Sequence, residues 1–189
     1  MPQVNRQSYY KSTANQEVYR RYRNQRSNVD LYGGRVMSEK NFWNLVRINL
    51  DLDMYRIENR VSSGMPDIHY IDKGSSGWIE LKYIEGFPKK GKLRIGLRIA
   101  QHLWHLRYTK NKGQTWILVR VGREGIYLID GKYSGELQKM PNNSSFLKMC
   151  EWKLSGNMSK NDWKGLKDVI TRNNKSEDKI SFKNSGDSK

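Results

Sequence analysis

Asp67, Glu80 and Lys82 lie within the segment GMPDIHYIDKGSSGWIELKYI, and their types and spacing suit metal-assisted phosphoryl chemistry. Alternate side chains of a strand project from one face, so Glu80 and Lys82 point the same way. Asp67 begins the preceding strand-like run. If the two runs pair antiparallel through DKGSSG, Asp67 approaches Glu80 on that face. Two carboxylates so placed repel, and burial sharpens the conflict. A divalent cation resolves it. Mg2+, with Mn2+ as a substitute, takes oxygen ligands and keeps several waters, so two carboxylates and a backbone carbonyl are a usual protein share. Such a cation polarises a phosphodiester oxygen, activates water and neutralises the leaving oxygen. A lysine beside it stabilises developing negative charge or orients the water. Singly the motifs are ordinary: Glu-x-Lys is a common solvated pair, and Asp after Pro a common turn opener. Their order and hairpin spacing in one basic chain favour the chemical reading.

The surrounding elements must hold that constellation. Ser38 caps a helix through SEKNFWNLVRINLDL, with Glu39 in its first turn and Phe42, Leu45, Val46 and Leu50 as the buried stripe. MYRIENR, PDIHYID and GWIELKYI read as strands, the last two joined by the hairpin loop DKGSSG. GFPKKGKLRIG is a basic loop. LRIAQHLWHLRYTKNKG is a helix with Leu97, Ala100, Leu103, Trp104 and Arg107 along one side, ended by Gly113. TWILVRVG is a strand buried on both faces, and GIYLIDG is another strand. This order predicts an α/β core in which a helix crosses over one face of a mixed sheet. After Gly131 the pattern weakens to a short apolar piece in MPNNSSFLKMCEWKLSGNMS. Ser159 then caps a last helix, KNDWKGLKDVI, with Trp163, Leu166 and Ile170 on its apolar side. The expected organisation is a basic arm over 1–35, a core over 36–131, an extension with a helix over 132–172, and a disordered tail over 173–189. The arm, with helical character around Glu17 to Gln25, is read either as a segment that orders on DNA or a second subunit, or as a solvated tail.

With 35 Lys and Arg against 19 Asp and Glu, the net charge is +16 over 189 residues. A field this positive favours a polyanion, nucleic acid first and an anionic membrane second. The single cysteine, Cys150, excludes an intrachain disulfide and a cysteine-built zinc site, and suits a reducing, intracellular setting. No apolar run is long enough to cross a membrane.

Pro66-Asp67 followed by Glu80-Leu81-Lys82 resembles the signature of the PD-(D/E)xK nuclease superfamily. Together with SSGMPDI, WIELKYI, the FPKKGKLR loop and a following helix bearing Gln101 and Trp104, it is similar to small phage-type nucleases of the virus-type replication-repair group. The resemblance spans roughly Ser38 to Gly131 and implies a restriction-endonuclease-like core, a mixed β-sheet flanked by helices. It implies Asp67, Glu80 and the carbonyl of Leu81 as metal ligands and Lys82 as the catalytic lysine. Glu39 matches a place where relatives carry an extra acidic residue reaching the metal; a carboxylate favoured by the helix dipole is the equal alternative. Gln101 matches a helix glutamine that faces the active site, and its alternative is an exposed helix residue. The implied reaction is Mg2+-dependent hydrolysis of DNA by a homodimer, on branched DNA such as a Holliday junction, in phage replication, recombination or repair within the host-cell cytoplasm. No small-molecule cofactor and no membrane is implied. A nickase, a flap or restriction-type nuclease, and a non-catalytic DNA-binding protein with the same fold are the alternatives.

Lys89, Lys90, Lys92 and Arg94, in the loop after the strand carrying Glu80, and Arg98 beyond it are candidate phosphate contacts; such contacts position DNA without reading sequence. Arg107 extends the same surface. His69 shares the Asp67 face but reads first as a packed or exposed strand histidine. His102 and His105 read as surface or groove residues. Glu58 is a distant candidate for the acidic cluster, and Ser63 lacks the partners of a hydrolytic triad.

Overall fold

The computed structural model describes residues 38–57, 64–156 and 158–172. The arm, Glu58, Ser63 and the tail over 173–189 lie outside the described residues.

Helix α1 (Glu39–Asn49) starts where Ser38 Oγ accepts the N–H of Asn41 at 3.3 Å. A side-chain oxygen thus takes one of the donors that every helix start leaves free. Its buried side chains are Phe42, Trp43 and Val46; Leu50 just beyond is buried too, whereas Leu45 is half-buried. Each of the fully buried ones contributes about 1.5–3 kcal/mol by leaving water.

Six strands follow: β1 (Asp53–Arg56), β2 (Ile68–Asp72), β3 (Ser75–Ile84), β4 (Thr115–Val121), β5 (Gly125–Asp130) and β6 (Cys150–Ser155). They form one sheet in sequence order, antiparallel everywhere except between β3 and β4. Parallel neighbours require a crossover connection, and α2 (Ile99–Lys110) lies in it. The α/β class, the mixed sheet and the flanking helices agree with the expectation from sequence.

The β2–β3 hairpin is tighter than DKGSSG suggests. Asp72 pairs with Ser75, leaving Lys73 and Gly74 as a two-residue turn with φ of 44° and 87°. Two consecutive positive φ values match the right-handed twist of the flanking strands.

Two apolar layers sandwich the sheet. On one face Ile68, Tyr70, Ile79, Leu81, Trp116, Leu118, Ile126 and Leu128 pack with α1 and with α5 (Lys160–Ile170). The start of α5 carries the expected cap: Ser159 Oγ accepts the N–H of Asp162, whose carboxylate accepts the N–H of Ser159. Trp163, Leu166 and Ile170 are its buried side, as expected. On the other face Ile117, Val119, Val121, Tyr127 and Ile129 pack against the connection after β3 and against α3 (Ser134–Gln138) and α4 (Asn143–Lys148). The segment read as a plain basic loop alternates: Leu93, Ile95 and Leu97 are buried while Lys92, Arg94, Gly96 and Arg98 are exposed.

The segment after Gly131 supplies the sixth strand. In β6 the half-buried Cys150, Trp152 and Leu154 alternate with the exposed Glu151, Lys153 and Ser155. That period of two is legible in CEWKLS, yet short and polar enough to be passed over. Among the described residues no helix is long and apolar enough to cross a membrane.

Candidate active site

Pairing of Ile68 with Ile79 in the β2–β3 ladder carries Asp67 to the position opposite Glu80. Asp67 sits one residue before β2, where the ladder with β3 ends. Its Oδ2 accepts the N–H of Leu81 at 2.9 Å, so a side chain supplies the rung that the backbone of β2 no longer provides. The preceding turn is anchored at Gly64, which has φ of +92°, and where a Cβ would collide with the carbonyl of Ala100. Glycine thus lets the chain before Asp67 press against the first turn of α2.

Glu80 is fully buried. Its Oε1 receives Lys82 Nζ at 2.7 Å and the side-chain amide of Gln101. Its Oε2 is buried with no hydrogen-bond partner among the described residues. Burial, then the nearby charge of Asp67, push the Glu80 carboxyl up to about 7, against the pull of Lys82. Burial alone would push the Lys82 ammonium down; the charge of Glu80, with Glu39 and Asp67 behind it, overrides this and holds it above the ordinary lysine range. Glu39 reaches in from the first turn of α1, with Oε1 3.5 Å from Lys82 Nζ, and its side chain is 52% exposed. Gln101 is buried, and its Oε1 accepts the N–H of Arg98 at 2.9 Å. It therefore ties the start of α2 to Glu80.

The expected residues Asp67, Glu80, Leu81, Lys82, Glu39 and Gln101 thus converge. For Gln101 the exposed-residue alternative is excluded. Glu39 faces Lys82 rather than only its own helix start.

The predicted apolar side of α2 is corrected. Its buried residues are Gln101 and His105, while Leu103 is 52% exposed. Apolar residues are spread around this helix, so periodicity selects no face. The polar partners waiting on the sheet select it: Glu80 for Gln101, and Thr115 for His105, whose Nδ1 lies 2.8 Å from Thr115 Oγ1. The surface reading of His105 fails with it. Its imidazole is fully buried, and burial, with smaller effects of His102 and Lys82, pushes its pKa down to about 4. His102 is half-buried and pairs with Ser134 Oγ at 2.9 Å. His69 packs on Trp78 with ring centroids 4.8 Å apart, as a strand histidine would.

Lys89, Lys90, Lys92, Arg94 and Arg98 are all exposed. An open groove of about 590 Å³ joins this segment to the end of β3, lined by Tyr83, Ile84, Glu85, Lys92 and Arg94 among others.

Buried carboxyl oxygens ordinarily find a partner, and the unpaired Oε2 of Glu80 is a donor position that Lys82 and Gln101 leave open. The donors here are all oxygens, the chemistry a hard divalent cation takes. Among the described residues no group of three or more His, Cys, Asp and Glu is placed to hold a metal ion, so a cation at this site would rest on two carboxylates, a carbonyl and waters. The residues fit that share.

No protein-family model matches the chain, and no curated protein matches its sequence.

Proposed function

We propose that this protein is a metal-dependent endonuclease of the PD-(D/E)xK type that hydrolyses DNA phosphodiester bonds. One observation carries the reading: a fully buried glutamate, Glu80, shares one oxygen between Lys82 and Gln101 and leaves the other unpaired beside Asp67. An ion pair serving stability alone gains from satisfying every buried lone pair. An oxygen left open suits a ligand.

Asp67, Glu80 and the carbonyl of Leu81 would hold a divalent cation, which when bound supplies Lewis acidity toward a phosphodiester oxygen and a more acidic water. Lys82 carries a fixed positive charge beside that position and neutralises charge gathering on a phosphate oxygen. Glu80 holds Lys82 in place, and Gln101 fixes the rotamer of Glu80 by taking the same oxygen. Glu39 draws the lysine toward the edge of the site. The exposed cations of the connection after β3 hold neighbouring phosphates. Net charge of +16 suits a nucleic-acid substrate. Branched DNA cut by a homodimer, as at a Holliday junction, is the substrate and assembly we favour, because paired symmetric cuts need two active sites.

Labelled four-way junction, flap, nicked and linear DNAs incubated with Mg2+ test this. Wild-type protein should cut, with paired symmetric cuts at the junction, while Asp67→Ala binds DNA and does not cut. Binding without cutting by both proteins rejects the enzyme, and equal cutting of linear duplex rejects the junction preference.

A further inference from the structure

The sheet face that carries Glu80 and Lys82 also carries a row of aromatic side chains that the chemistry above does not use. Trp78 lies two residues before Glu80 on β3, on the same face. Its cross-strand partner is His69 of β2, with ring centroids 4.8 Å apart. Trp104 of α2 meets Trp78 edge-on at 5.5 Å, and Tyr108, one turn further along α2, stacks on Trp104 at 4.7 Å and 13°. On the other side of His69 the register places Tyr55 of β1, which is 58% exposed. His69, Trp78, Trp104 and Tyr108 are each only half-buried. The row thus runs from α2 across the sheet to the outermost strand, passing beside the carboxylate cluster at Trp78 and His69, with ring area left open to solvent. Single half-exposed rings are ordinary, but a contiguous row of them is an apolar surface that water covers poorly.

We propose that this row is a stacking platform for unpaired nucleobases. The substrate strand then reaches Asp67 and Glu80 with bases beside the scissile phosphate already out of their duplex. The inference rests on the nuclease reading for the identity of the site and adds the state of the strand that enters it. Every base has a π-face, so a row of rings holds single strands without regard to sequence. Charge agrees: α2 contains no acidic residue, and Arg107 and Lys110 are exposed around Tyr108. The same cations in a chain of net charge +16 repel a second copy laid across this face and attract a polyphosphate.

The test uses Tyr55→Ala and His69→Ala, neither of which alters the carboxylate cluster. Binding is read by anisotropy in EDTA with a fluorescein-labelled oligothymidylate of about 12 nucleotides, against an abasic strand of equal length. Wild type should bind the base-bearing strand about tenfold more tightly, and each variant should lose most of that difference while its affinity for the abasic strand stays unchanged. Equal wild-type affinity for the two strands overturns the proposal. So do unchanged variants, or a variant whose main effect is a changed oligomeric state in light scattering. Cleavage is then compared, with Mg2+, on one sequence as continuous duplex and with unpaired bases at the cut. Wild type should prefer the unpaired form and Tyr55→Ala should lose the preference. If nothing is cut while the binding difference stands, the nuclease reading fails and the platform survives. If wild type cuts both forms equally, the platform as part of the substrate path is rejected.

Discussion

Asp67 Oδ2 accepts the backbone N–H of Leu81, between Glu80 and Lys82 on the adjacent strand. The same carboxylate therefore ends the β2–β3 ladder and charges the site, and two substitutions separate those roles. Asparagine keeps an acceptor for Leu81 and removes the charge, whereas alanine removes both. Asp67→Asn should unfold at nearly the wild-type temperature, while Asp67→Ala should lose about 1–3 kcal/mol for the orphaned N–H. Both should lose cleavage by more than the roughly 100-fold typical of an outer partner of a metal ligand. Thermal unfolding and single-turnover cleavage, run side by side, check this. An active Asp67→Asn would remove Asp67 from the chemistry.

The Glu80 carboxyl is raised from 4.5 to about 7 in the folded protein. The folded state holds that proton more tightly than the unfolded chain does. Its contribution to stability is therefore fully present below about pH 4.5 and is lost as pH rises to about 7, by an amount on the order of 3 kcal/mol. A bound divalent cation should restore the loss, because it favours the carboxylate. Urea unfolding of His105→Gln protein, which lacks the buried imidazole that titrates over the same window, should show this slope without metal, Mg2+ should flatten it, and adding Glu80→Gln should abolish it.

His105 has the opposite sign. Its imidazole falls from 6.5 to about 4 on folding, so the neutral ring's contribution is fully present above about pH 6.5 and is lost as pH falls to about 4, again on the order of 3 kcal/mol. The two slopes oppose each other over nearly the same range. Wild-type stability should therefore vary little there on account of these groups. Glu80→Gln should expose a loss on the acid side, and His105→Gln a loss as pH rises. Chemical unfolding of the two variants against pH reads both directions, and parallel curves would refute the assignment.

Leu93 is buried between the exposed Lys92 and Arg94, so the alternation of this segment holds two cations outward at the groove. Lys92→Ala and Arg94→Ala should leave the unfolding temperature unchanged, weaken DNA binding alike for all sequences, and lower the slope of log affinity against log salt by about one each. Leu93→Ala should instead cost about 2–5 kcal/mol of stability through the cavity it leaves. A salt titration of binding, paired with thermal melts, distinguishes the two kinds of residue.

The features readable from the residues alone were local. Ser38 and Ser159 mark the starts of α1 and α5 because a cap needs only a side-chain oxygen next to free backbone donors. The apolar run of TWILVRV marks β4 because a strand covered on both faces needs no polar positions. Asp67, Glu80 and Lys82 were legible because a period of two and a hairpin suffice to place them on one face. Packing between elements fixed the rest. Which side of α2 is buried depends on Glu80 and Thr115, residues of other elements that have no signal within the helix. The aromatic row joins Tyr55, His69, Trp78 and Trp104 from four elements, and register rather than spacing brings them together. The unpaired oxygen of Glu80 is likewise a property of packing: a sequence shows that a carboxylate is present, and only its neighbours decide which of its lone pairs are left open.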